Sequence, residues 1–308
     1  MDELKETANL EPVSPYGSGN ELKTFLEKER QPVNYGLMVK PTTRVLAVGE
    51  AHTREIAKTE LINSLEVLKT LGFTHLALEM LDSDMQKALD LYQTSGKGRR
   101  GIVQQLERFG WGGKAANQYL EAIDQATKIG LKVVGIHRPL SYAESVMNLF
   151  ITGNAERIPK DLLEGDPWMV DIVQGILDEN PENKVVTYTG LMHASKEERA
   201  MGSLLQSMGI EIVSVGLIGG LKAEEDDYHY TYIDIEKAAS KAGLDNERFM
   251  IPCLAKFPDA APPVDWFVHL PKVETETDWE AQVRARQPRG KQLITSKFDK
   301  SYDSKNKN

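Results

Sequence analysis

Five short apolar runs, alternating with stretches of helical spacing, limit what this chain can fold into. They are Val45-Leu46-Ala47-Val48, Leu76-Ala77-Leu78, Val133-Val134-Gly135-Ile136, Lys184–Thr189 and Ile212–Ile218. Runs this short and this apolar are the pattern of parallel strands buried on both faces by helices. After the first run, Leu61, Leu65, Leu68 and Leu71 recur at helical spacing before Gly72; after the second, Met85, Ala88, Leu89 and Tyr92 do the same. A helical hairpin is expected around Gly110–Gly113. Asp166-Pro167 reads as a helix N-cap with proline at the first helical position, and Ser195 with Glu198 as a capping box opening a helix that ends at Gly209. Tyr230–Ile235 and Trp266–Leu270 read as two later strands. The expected architecture is α/β, with a mostly parallel central sheet covered by helices in a single large domain with a C-terminal strand extension.

Within the 308 residues, apolar periodicity begins near Arg44 and fades beyond Val273. The expected organisation is a lead-in over 1–43, the α/β domain over 44–273 and a basic, flexible tail over 274–308. From Ala281 to Asn308 eight basic residues face only Asp299 and Asp303, although the whole chain carries a net charge of −9. That overall charge disfavours nucleic acid as a partner. One cysteine, Cys253, excludes an internal disulfide and a cysteine-rich zinc site. No apolar window is long enough for a transmembrane segment, and the first residues lack a signal pattern, so a cytoplasmic location is expected.

Ligands of open α/β sheets bind beyond the carboxyl ends of the strands, so chemistry is sought there. The first run is followed by Glu50 and His52, the second by Glu79, the third by His137 and Arg138, the fourth by His193. Gly49-Glu50-Ala51-His52 and Gly190-Leu191-Met192-His193 share the form Gly-x-x-His, a weak motif that gains meaning from lying between a strand and a helix. A histidine at a helix start feels the positive end of the dipole, which favours the neutral imidazole that accepts a proton or binds a metal. Two chemistries are open. His52, Glu79 and His193, with His137, could hold Zn, Mn or Fe and activate water; or one histidine could act as a metal-free base with the carboxylates Glu79 and Glu50 assisting. Arg138 is a candidate for binding an anionic substrate group, and Tyr188 for facing the same mouth. Against these stand plainer roles: a Glu79–Arg138 salt bridge, a helix-capping His52, a packed Tyr188. His75, at the start of its strand, reads as structural, as do His229 and His269. Trp111 and Tyr119 read as a pocket wall or as core.

The segments Leu46-Ala47-Val48-Gly49-Glu50-Ala51-His52, Ala77-Leu78-Glu79-Met80 and Tyr188-Thr189-Gly190-Leu191-Met192-His193 resemble the superfamily that joins erythromycin esterases, TraB and Tiki proteins and ChaN-type haem-binding uptake proteins. With Gln86, Ala88-Leu89-Asp90, Tyr92, Trp111-Gly112 and Tyr119, the likeness is greatest to ChaN. The esterase and Tiki branches imply hydrolysis, metal-dependent in the Tiki case, with His52, Glu79 and His193 as the working residues. The ChaN branch implies haem binding and iron handling, with Tyr188 or His137 as axial ligand. His137-Arg138-Pro139 stands where an asparagine is expected in ChaN relatives, and the extra histidine tilts the reading towards a metal or catalytic site. The leading expectation is a metal-dependent hydrolase of an ester or amide bond in a small molecule or peptide. The alternatives are a haem or tetrapyrrole-binding protein and a non-catalytic interaction protein working through its tail.

Overall fold

A computed structural model describes residues 19–52, 54–108, 114–139, 165–219, 231–253 and 264–272. Its strands are β1 (Val45–Glu50), β2 (His75–Asp82), β3 (Lys132–His137), β4 (Val185–Gly190), β5 (Ile212–Gly219), β6 (Phe249–Pro252) and β7 (Trp266–Leu270). They form one sheet in the order β3-β2-β4-β1-β5-β7-β6, parallel throughout except that β6 pairs antiparallel with β7. Every residue of β1, β2, β4 and β5 is buried, as expected of parallel strands covered on both faces.

Alternate residues of each strand point to opposite faces. Leu46, Val48, Leu76, Leu78 and Val186 pack with α3 (Glu55–Thr70) and α6 (Lys114–Lys128). Val45, Ala47, Ala77 and Val185 pack on the other face with α7 (Gly165–Glu179) and α9 (Met201–Ser207). The chain therefore leaves β1 over one face and leaves β4, which lies between β1 and β2, over the other. Where neighbouring connections part to opposite faces, a crevice opens at the strands' carboxyl ends.

The connection out of β4 begins with a single helical turn, α8 (Leu191–Ala194), which lies across the end of β1. Gly49 makes this possible: a Cβ there would stand 2.7 Å from Leu191 Cα and 2.8 Å from Ala194 Cβ. Gly49→Ala is expected to destabilise the protein by about 1–3 kcal/mol through overpacking, read as a lower urea midpoint. An unchanged midpoint would mean that α8 is not seated on β1.

Three local readings are corrected, and one strand was not anticipated. The segment read as a strand over Tyr230–Ile235 is helical from Thr231: α10 spans Thr231–Lys241 and buries Ile235, Ala238 and Ala239, at helical spacing, against Leu22 and Leu26 of α1 (Gly19–Glu29). The antiparallel edge strand β6 has too short an apolar run to stand out. Ser195 opens no helix with Glu198; its hydroxyl accepts from the Glu197 N–H at 3.3 Å, and α9 starts after Ala200. Asp166 lies inside the first turn of α7, and its carboxylate serves other groups than its own helix. The expectations for Gly110–Gly113, His229 and the tail fall outside the described residues. Among the described residues, no helix is long and apolar enough to cross a membrane.

Candidate active site at the carboxyl ends of β1, β2 and β4

Three strands meeting around the crevice bring His52, Glu79 and His193 together. Glu79 lies within β2, one residue past the point where β2 stops pairing with β4, and its side chain reaches across that strand's end. Its Oε2 accepts the Gly190 N–H at 2.6 Å. His193 Nε2 stands 3.4 Å from Glu79 Oε1, and His52 Nε2 stands 3.8 Å from Oε2. The carboxylate thus sits between two imidazoles that approach different oxygens. Gly190 is needed for this closeness rather than for a tight turn. Its φ of −58° is open to any residue, but a Cβ would lie 3.0 Å from His52 Nε2.

Behind His52 lies a buried polar network centred on Glu50. Its Oε1 stands 3.3 Å from His52 Nδ1 and accepts the Tyr119 hydroxyl at 2.9 Å; its Oε2 accepts the Tyr188 hydroxyl at 2.6 Å. The Lys58 ammonium donates to both oxygens, at 3.2 and 3.1 Å. Burial pushes Glu50 up, but Lys58, His52 and Tyr188 outweigh it and hold the carboxyl below the usual carboxylate range. Burial, followed by the charge of Glu50, raises the Tyr119 and Tyr188 phenols well above the ordinary value. Tyr188, expected to face the mouth and bind substrate, is 1% exposed and bonded to Glu50 beneath the crevice. Its position halfway along an apolar strand favoured that buried place.

Asp166 completes the other side and was missed as a site residue. It accepts from His193 Nδ1 at 2.9 and 3.0 Å through its two oxygens, and from the Met201 N–H at 2.8 Å. A sequence signal was present: a crossover helix leading into β4 must start at the strands' carboxyl ends, so an acid in its first turn reaches the crevice. Burial would lower the His193 pKa, but the Asp166 bond and the Glu79 charge overcome it and raise it to about 9. The neutral imidazole expected from the helix dipole is therefore replaced at His193 by an imidazolium at neutral pH. A raised pKa means that this pairing stabilises the fold fully below the ordinary imidazole range and that the gain disappears as the pH rises through about 9. Asp166→Asn is expected to return the His193 pKa towards the ordinary imidazole value, read by NMR titration of its ring protons. A titration still centred near 9 would show that Asp166 is not its cause.

His137 and Arg138 lie farther along the sheet, at the end of β3. His137 Nδ1 bonds the Arg138 carbonyl at 2.7 Å and stands 3.5 Å from Asp82 Oδ1. Burial opposes protonation there, yet the Asp82 and Arg138 contacts and the charge of Glu79 raise its pKa. His75 stands at the opposite end of β2, against the Thr74 hydroxyl; His269 stacks on Phe249 and bonds the Glu247 carbonyl.

A cavity of about 260 Å³ opens beside His52 and His193, bounded by Arg54, Leu191, Met192, Leu217 and Glu236. Arg54 is held by Glu236 and by the Gly219 carbonyl, so this wall carries a paired cation that the sequence reading did not single out. Among the described residues, no group of three or more His, Cys, Asp or Glu side chains is placed to hold a metal ion. The nearest approach is of two imidazoles to one carboxylate, with His193 Nε2 at 3.4 Å and His52 Nε2 at 3.8 Å from Glu79, while His137 Nδ1 bonds the Arg138 carbonyl. The expected His52, Glu79, His193 and His137 set is thus not gathered as such a group among the described residues.

A seven-stranded, largely parallel α/β sheet with paired histidines and carboxylates at its switch point defines the class of the protein. Residues 40–158 match the family model described as haem-binding uptake, Tiki superfamily, ChaN. That span contains the motifs around Glu50, His52 and Glu79 together with His137 and Arg138, which supports the resemblance they carry, and the Tyr188–His193 motif lies outside it. Among solved structures, a succinoglycan biosynthesis protein aligns with a TM-score of 0.59 at 12% identity, covering 82% of this chain and 97% of its own. An erythromycin esterase variant in its open conformation aligns with a TM-score of 0.52 at 12% identity, covering 84% and 95%. ChaN of Campylobacter jejuni, described with cofacial haem binding, aligns at 18% identity over 64% and 93%, with a TM-score of 0.39. No curated protein sequence matches the chain.

Proposed function

We propose that this protein is a hydrolase of ester or amide bonds that works by paired acid and base histidines. The observation that supports it best is the division of labour between the two imidazoles. His193 is held as an imidazolium between Asp166 and Glu79, while His52 has Nδ1 turned to an ionised Glu50 and Nε2 turned to the crevice. An acid and a base at one site are what acyl transfer to water requires. In this reading His52 Nε2 takes a proton from the attacking water as its oxygen bonds to the acyl carbon. The His193 Nε2–H stabilises the developing oxyanion and then protonates the departing oxygen or nitrogen. The products are a carboxylic acid and an alcohol or amine, and solvent returns the proton from His52 to His193. Glu79 keeps both rings turned towards the reacting atoms.

No step passes through a metal. The substrate would be a small molecule or peptide that places its acyl group beside His52, with Leu191, Met192 and Leu217 against its apolar part. The test is turnover of p-nitrophenyl acetate and p-nitrophenyl butyrate by the purified protein with and without a chelator. Hydrolysis that survives chelation, and falls as the pH rises through about 9 when His193 loses its proton, is the expected result. No hydrolysis above buffer would overturn the reading.

The family match gives one specific reason for a second reading, a haem or tetrapyrrole-binding protein. Tyr188 does not serve it, since an iron-bound tyrosinate needs a phenol that ionises readily, and burial and Glu50 keep this one protonated. His137, half-buried at the end of β3, is the remaining candidate ligand. A Soret band on haem titration that is lost in His137→Ala would favour this reading.

A further inference from the structure

We infer that Lys58 is a positioning residue for His52, fixing its tautomer and the path of its loop through Glu50 and through the His52 main chain. This deepens the hydrolase reading, since it matters for catalysis only if His52 is the base.

Lys58 lies on α3 and is 2% exposed, a rare place for a lysine. An ammonium has three N–H donors, and here four oxygens compete for them. Two belong to Glu50; the others are the His52 carbonyl at 2.8 Å and the Arg54 carbonyl at 3.2 Å. The Tyr119 ring lies 5.2 Å away, and its hydroxyl bonds the same carboxylate. A charge placed only to neutralise Glu50 would not need the carbonyls. Because one ammonium grips both the carboxylate facing His52 Nδ1 and the backbone carrying His52, the side chain and the main chain of the histidine are tied to one point.

The chemical consequence concerns which ring nitrogen carries the proton. With Glu50 ionised and acceptor-only at 3.3 Å, the neutral ring donates through Nδ1; Glu79 Oε2, 3.8 Å from Nε2, is too far to take a competing hydrogen bond, so the Nε2 lone pair is left towards the crevice. Without Lys58, the buried Glu50 gains a proton or turns to other donors, and its hold on Nδ1 is lost. The loop is freed at the same time. A displacement of the reacting atom by about 1 Å costs on the order of 100-fold in rate.

The experiment is ¹⁵N NMR of the histidine rings in the full-length protein, with Lys58→Met beside the wild type and His52→Gln assigning the resonances. The wild type is expected to show the neutral His52 ring with its proton on Nδ1. Lys58→Met is expected to show mixed tautomers and, on p-nitrophenyl acetate, a kcat lowered by about 100-fold with KM little changed. Should Lys58→Met fold poorly, the Glu50→Gln/Lys58→Met double variant removes both charges and carries the same prediction of a mixed tautomer. A proton on Nε2 in the wild type, or an unchanged His52 tautomer in both variants, would overturn the inference. An ordered Nδ1–H tautomer lost in the variants, without hydrolysis by any form, would uphold Lys58 and refute the hydrolase reading instead.

Discussion

His52→Ala is expected to lower hydrolysis of p-nitrophenyl esters by about 10²–10⁴-fold while leaving urea stability nearly unchanged. The size follows from what the imidazole supplies: a positioned base in place of bulk water. The small effect on stability follows from the site. The His52 side chain is about one quarter exposed, its Nδ1 contact to Glu50 is long at 3.3 Å, and the carboxylate retains Lys58, Tyr119 and Tyr188. His193→Gln is expected to act on the same reaction from the acid side, by a similar factor, and to remove the loss of activity above pH 9. Paired measurements separate the roles. If both variants hydrolyse as fast as the wild type, the crevice between β1, β2 and β4 is not where the reaction occurs.

The sheet was legible in the sequence because burial on both faces leaves a direct mark: Val45–Val48 and Leu76–Leu78 hold no polar residue, and Ile212–Ile218 holds Ser214 alone. The strand-end residues were legible because the fold class dictates where chemistry must stand. Less visible were groups whose role depends on chains meeting from far apart. Asp166 looks like an ordinary N-cap until α7 is placed against α8, where it serves His193 and Met201 instead. Lys58 looks like a solvated helix residue until Glu50 is found beneath it. In the other direction, Tyr188 was placed in the mouth although a tyrosine inside an apolar strand has its ring buried, and its hydroxyl reaches the site only through Glu50. Thr231–Lys241 was mistaken at its start because Tyr, Thr and Ile favour strands locally, whereas Ile235, Ala238 and Ala239 bury at helical spacing.

Glu50→Ala is expected to produce the largest loss of stability, about 3–5 kcal/mol at neutral pH, against a total of ~5–15 kcal/mol for a typical domain. Truncation leaves the Lys58 ammonium buried without its counter-charge, and the Tyr119 and Tyr188 hydroxyls without the oxygens they donate to. The Glu50→Gln/Lys58→Met pair, which removes both charges and keeps an acceptor for the tyrosines, is expected to cost much less. A buried ion pair is expensive to break and inexpensive to replace as a unit. The pH dependence has a definite sign. Glu50 lies below the ordinary carboxylate range in the folded protein, so its contribution is present at neutral pH and disappears as the pH falls through that lowered value. Urea midpoints of the wild type and Glu50→Ala should therefore lie far apart at pH 7 and draw together in acid. A gap that stays constant with pH would mean that the cost is one of packing and that the Lys58–Glu50 charges add nothing to the fold.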